Sequence, residues 1–153
     1  AGKSYEALLR ERILDPLGMR DTAIGLDERL RARLKPGHSP ALAEVKNWDI
    51  PTLAGAGALR STVNDLLKFL AANLEPAKVK GPLGQALAEA QKTHRAGKPA
   101  TREPELGLGW HMIVLPDRPR IIWHNGGTGG YRSWAGLAPE KKEAAVVLCD
   151  TSY

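Results

Sequence analysis

The stretch of this chain best suited to chemistry is His124, Asn125, Gly126, Gly127, Thr128, Gly129, Gly130 and Tyr131. An imidazole stands in front of glycines that flank one threonine, and the run follows the apolar Ile121, Ile122 and Trp123. A glycine carries no Cβ, so another molecule can approach its main chain closely. A glycine-lined strand edge with a polar lip suits a bound carbonyl or carboxylate. Two plainer readings stay open on the residues alone: His124 caps a strand end through backbone hydrogen bonds, or the glycines form only a tight turn. A phosphate cradle fits less well, because such loops open a helix and residues 131–137 read as a strand. His38, His94 and His111 show no metal-ligand spacing, so neither a metal nor another cofactor is expected.

The surrounding pattern supplies elements to hold that strip. Ser4 caps a helix to about Leu14, with Tyr5, Leu8, Leu9 and Ile13 on one face, and Asp15-Pro16-Leu17-Gly18 ends it. A short charged helix is expected over 27–34, then a loop carrying Pro36, Gly37, Pro40 and Pro51. Thr62, with Asp65 three residues on, reads as a capping box opening a helix to about Asn73 whose buried stripe is Val63, Leu66, Leu67 and Leu70. A third helix covers about 82–93 with Pro82 near its start, and a polar loop covers 98–104. Four strands follow, at 108–115, 120–124, 131–137 and 144–149, joined by short turns that make neighbours antiparallel. Helices and loops over 1–106 followed by antiparallel strands over 107–153 form one domain of the α+β class.

Composition excludes several functions. The 153 residues are 42% apolar and 25% charged, ordinary values for a globular protein. The net charge of +5 is spread along the chain and only 5% of residues are aromatic, so a nucleic-acid surface is not expected. No run approaches the roughly 18–20 apolar residues needed to span a bilayer. The chain opens with Ala1-Gly2-Lys3-Ser4 and no signal-peptide pattern. Cys149, the single cysteine, sits in an apolar run and is expected to be a small buried side chain. Trp110, Trp123 and Trp134 are expected in the core or a cleft wall, and Asp21 and Asp65 as caps or bridges between elements.

Several segments resemble, in order, the serine β-lactamase-like hydrolases, a group that includes class C β-lactamases, penicillin-binding carboxypeptidases, D-aminopeptidases and esterases. Pro16-Leu17-Gly18-Met19-Arg20-Asp21-Thr22 is similar to the family's PLGM-x-DT stretch. Residues 55–66, from Gly55 through Arg60-Ser61-Thr62 to Asp65-Leu66, resemble its GAGGLRST-x-xDL segment. Gly107-Leu108-Gly109-Trp110 is similar to its GLGW strand entry, and His124 to Tyr131 resembles its third active-site motif. Val146-Val147-Leu148 matches the strand that follows.

The resemblance implies a partial β-lactamase/transpeptidase-like fold and acyl transfer through a serine ester on an amide, lactam or ester bond, without a cofactor. It gives Gly127 as the donor of one oxyanion-hole N–H, places His124 where the motif lysine stands, and leaves Asn125, Gly126, Thr128 and Gly129 to contact the substrate. The expected partner is a small acyl compound (a lactam, an ester or a D-amino-acid peptide), and the family suggests a periplasmic or secreted setting. Neither S-x-x-K nor Y-x-N occurs in these residues. The chain therefore reads as the C-terminal half of such an enzyme. Three expectations follow: the isolated chain is inactive, its sheet exposes an unpaired edge, and it pairs with the missing half, self-associates or is poorly ordered. The alternative is a non-catalytic relative that binds peptide or cell-wall fragments.

Overall fold

The computed structural model describes residues 2–98 and 103–152, so residues 99–102 of the expected polar loop lie outside the described residues. Ser4 caps helix α1 (Tyr5–Leu9), its hydroxyl accepting the Ala7 N–H at 3.2 Å. The helix then widens to a π-helical turn over Arg10–Leu14 and stops where Gly18 adopts a φ of +65°. Its buried residue is Leu14, not the expected stripe, and Tyr5 is half exposed. Asp27 caps α2 (Glu28–Arg31) by accepting the Leu30 N–H at 2.7 Å.

The chain forms two compact units, one of Ala1–Leu66, Asn125–Trp134 and Val147–Tyr153, the other of Leu67–His124 and Ala135–Val146. In the first, the stretch expected as a loop contains a small hairpin, β1 (Gly37–His38) with β2 (Glu44–Val45). Two-residue strands give no periodicity to read, which is why the sequence pattern missed them. The His38 N–H donates to Gly130 O and Asp150 O, and the Ser152 N–H donates to His38 O, so the hairpin is tied to distant chain. The PLGM-x-DT stretch is fastened by Asp65, which is 2% exposed and accepts the Asp21 N–H at 2.7 Å and the Thr22 hydroxyl at 2.9 Å.

The second unit holds a hydrophobic core of Leu70, Trp110, Met112, Ile122 and Leu137, with Phe69 stacked on Trp110 at 6.3 Å. Burying a side chain of this size contributes about 1.5–3 kcal/mol. Helix α3 (Val63–Leu74) opens as expected, the Asp65 N–H donating to Thr62 Oγ1 at 3.3 Å. Its stripe departs from expectation: Leu70 is buried, but Val63 and Leu67 are each 41% exposed and Asn73 is fully buried instead. Asn73 is satisfied there because Gln91 Nε2 donates to both Asn73 O and Asn73 Oδ1, at 2.8 and 3.0 Å. Helix α4 (Pro82–Ala90) carries Pro82 in its first turn.

The main sheet has five strands in the order β3 (Glu105–Leu106), β4 (His111–Ile113), β5 (Ile121–Thr128), β6 (Tyr131–Ala138) and β7 (Glu143–Cys149). With helices beside antiparallel strands, the fold is of the α+β class. The strand expected over 108–115 is shorter, β4 alone, and it is preceded by β3, from which it is separated by a turn in which the Gly107 N–H donates to Trp110 O at 2.8 Å. Strand β5 runs four residues past the expected end, through His124 to Thr128. Cys149 is exposed rather than buried: it is the last residue of β7, which stands at the end of the strand order among the described residues. Among the described residues no helix is long and apolar enough to cross a membrane.

Candidate active site

In the first unit a cavity of about 270 Å³ is walled by residues from the two segments that resembled the family motifs. Ala56, Gly57, Ala58, Leu59, Arg60 and Ser61 form one side; Gly126, Gly127, Thr128, Tyr131, Arg132 and Ser133 form another. Asn47, Trp48, Leu34, Leu148 and Cys149 complete the lining. Ser61 Oγ lies 2.8 Å from Thr22 Oγ1, which bonds Asp65, so a buried chain of polar groups orients the Ser61 hydroxyl. Asn47 Oδ1 is buried, with no hydrogen-bond partner among the described residues.

The glycines divide between two tasks. Gly126 and Gly127 lie within β5 and line the cavity. A Cβ on Gly126 would meet Ser133 Oγ at 2.9 Å, and one on Gly127 would meet the Arg132 guanidinium, with Cζ at 3.0 Å. Gly129 and Gly130 turn the chain into β6 and pack against the β1–β2 hairpin. A Cβ on Gly129 would lie 2.8 Å from Lys46 O and 2.8 Å from Trp48 Cδ1. Gly130 has a φ of +78°, and its Cβ would fall 2.5 Å from Gly37 C. Tyr131 fastens the same turn: its hydroxyl donates to Lys35 O at 2.6 Å, and burial raises the phenol's pKa, keeping the donor protonated.

His124 belongs to the second unit, as its last residue in β5. The side chain is exposed, and its ring lies 5.4 Å from that of His111, tilted by 32°. His111 pairs with Trp123 across β4 and β5 and stacks on it at 4.7 Å. Asn125 is exposed and, with Gly129, is not among the residues lining the cavity. Thr128 is, and its Cγ2 would meet a Cβ on Gly57 at 3.4 Å.

Sequence reasoning missed Arg132, Ser133, Arg60, Ser61 and Asn47 as cavity residues. Arg132 and Ser133 had a signal: they lie just beyond the glycine turn in a hairpin, which brings them back beside Gly127 and Gly126. Asp21, expected as a bridge, pairs with Arg29 and Arg33, and those guanidiniums hold its carboxyl down at about 2. Among the described residues, no three His, Cys, Asp or Glu side chains are grouped to hold a metal.

A family model described as beta-lactamase matches residues 1–153. A beta-lactamase of Pseudomonas fluorescens is 23% identical over 182 residues, covering 99% of this chain and 50% of its own length. The D-alanyl-D-alanine-carboxypeptidase/endopeptidase AmpH of Escherichia coli is 30% identical over 163 residues, covering 99% of this chain and 41% of its own. The unguisins hydrolase ungD' of Aspergillus campestris is 30% identical over 166 residues, with 99% and 30% covered. The chain thus spans half or less of the length of these relatives. With the model match extending from end to end, the chain belongs to the beta-lactamase family.

Proposed function

We propose that this chain is part of a serine hydrolase that cleaves amide, lactam or ester bonds through an acyl-serine. In this reading the nucleophilic serine and its base come from outside these 153 residues. The serine oxygen adds to the substrate carbonyl, its proton passes to the base, and the carbonyl oxygen gathers negative charge. Gly127 donates one backbone N–H to that oxygen, and the nucleophile's own N–H donates the other. The tetrahedral adduct collapses to an ester as the leaving group departs with a proton. Water then adds to the ester carbonyl, giving its proton to the base, and the bond to the serine oxygen breaks as that oxygen takes the proton back, releasing the carboxylic acid. Gly126 and Thr128, which line the cavity, contact the substrate backbone.

The observation that carries this reading is the cavity wall formed by Gly126, Gly127 and Thr128, where two successive strand residues without side chains line the cavity beside Ser133 and the Arg132 guanidinium. Family membership supports hydrolase chemistry in general. The place of β7 at the end of the strand order among the described residues supports a further part of the reading, that the sheet is completed by more chain or by a second copy.

The test uses the product of the whole reading frame with a chromogenic lactam and a short-chain nitrophenyl ester. Turnover of at least one, with a mass gain on a serine outside this segment, is the expected result. Neither turnover nor adduct would overturn the proposal, and stoichiometric binding alone would point to the non-catalytic relative.

A further inference from the structure

We infer that the cavity of the first unit selects acyl groups carrying an aromatic ring, with Trp48 as the specificity-determining residue; this rests on the hydrolase reading above. Trp48 lines the cavity, and 53% of it is exposed. A half-exposed indole serves recognition only when it is held still, and here it is held at both ends. Its main chain is pinned by Arg60, whose Nη2 donates to Trp48 O at 3.2 Å while Nη1 donates to Ile24 O at 3.0 Å and Ala58 O at 3.1 Å. Its ring is seated on Gly129, where a Cβ would lie 2.8 Å from Trp48 Cδ1 and 3.0 Å from Nε1. Both atoms belong to the five-membered ring, so the indole rests on the glycine by that edge. A platform already fixed in this way loses little freedom when a ligand arrives.

The space beside the indole is small and apolar. A Cβ on Gly57 would reach Thr128 Cγ2 at 3.4 Å and Ile50 Cδ1 at 3.9 Å. Thr128 and Gly129 are consecutive, so Gly57 and Trp48 flank the same end of β5, and Ala56 and Ala58 bring nothing bulkier than a methyl to the lining. Leu34 and Leu148 extend the apolar wall. The Arg60 guanidinium lines the cavity too, with three of its donors spent on carbonyls; its flat face stacks well on an aromatic ring. An aryl group there pairs with the indole as well as burying area, which a saturated ring of similar size cannot do. A cavity of about 270 Å³ takes a single ring rather than a long chain.

Three nitrophenyl esters test this on the product of the whole reading frame: the acetate, the phenylacetate and the cyclohexylacetate. The last two are close in size and only one is aromatic. With each kcat/KM divided by that ester's rate of alkaline hydrolysis, the wild type should prefer phenylacetate to cyclohexylacetate about 3- to 10-fold. Trp48→Leu should bring that ratio to about one and lower phenylacetate against acetate about tenfold, whereas Trp48→Phe should keep most of the preference. Each ratio is taken within one variant, so a loss of folded enzyme cancels. A wild-type ratio of one or below, or a ratio unchanged in Trp48→Leu, would overturn the inference. Should Trp48→Leu fail to fold, the wild-type ratio decides alone. Where the esters are not hydrolysed, calorimetric binding of phenylacetamide against cyclohexylacetamide decides the aromatic claim: tighter binding of the aromatic amide upholds it, and equal or absent binding overturns it. The hydrolase reading fails separately, if a chromogenic lactam is left intact as well.

Discussion

Replacing Asp65 by alanine removes a buried acceptor on which the Asp21–Thr22 stretch depends. The carboxylate is 2% exposed and takes the Asp21 N–H at 2.7 Å and the Thr22 hydroxyl at 2.9 Å. A hydrogen bond to a charged group contributes about 1.5–3 kcal/mol, and a stranded buried partner costs its desolvation as well. The loss is not the full sum of two such bonds, because Thr22 Oγ1 also lies 2.8 Å from Ser61 Oγ and keeps one partner. The expected destabilisation is therefore about 3 kcal/mol, whereas Asp65→Asn, which retains one acceptor oxygen, should lose about 1 kcal/mol. In urea denaturation followed by circular dichroism, Asp65→Ala should lower the midpoint by about 1–3 M without changing the slope. Because the chain of hydroxyls ends at Ser61 on the cavity wall, ligand affinity should weaken along with stability. Equal stability of the alanine and asparagine variants would refute this account of how the Asp21–Thr22 stretch is held.

Four further outcomes follow from particular contacts. Asp21 carries a folded-state pKa of about 2, against an ordinary 3.8, so its contribution is present above about pH 4 and is lost as pH falls towards 2. Asp21→Asn should therefore lower stability near pH 6 and converge with the wild type in acid unfolding near pH 2. Gly130→Ala adds a Cβ 2.5 Å from Gly37 C at a φ of +78° and should cost more than about 2 kcal/mol, measured by thermal unfolding. Gly127→Ala meets only the movable Arg132 side chain and should cost under about 1 kcal/mol, yet reduce ester or lactam turnover at least tenfold. Val147, 58% exposed near the end of β7, offers an apolar surface for pairing, and Val147→Lys should reduce concentration-dependent association in analytical ultracentrifugation.

How much of this was legible in the sequence depended on whether the cause was local. Ser4, Asp27 and Thr62 announce helix starts because a side-chain oxygen and the N–H it accepts are three residues apart. The strand–turn–strand of β5 and β6 is likewise local, since glycine marks the reversal. The buried positions of α3 were not, because burial of Asn73 depends on Gln91, eighteen residues away, supplying donors that make a polar side chain acceptable in a core. The glycine run shows the limit most sharply. Gly126, Gly127, Gly129 and Gly130 look alike in the sequence, yet the first two face a cavity and the last two give room to the β1–β2 hairpin and its flank. That second demand comes from Gly37 and Lys46, more than eighty residues earlier, and no local pattern encodes it. A motif that combines substrate access with backbone packing therefore overstates its binding surface when read from sequence, and two successive substitutions along it should separate the tasks. Alanine at Gly127 should act on turnover, and alanine at Gly130 on folding.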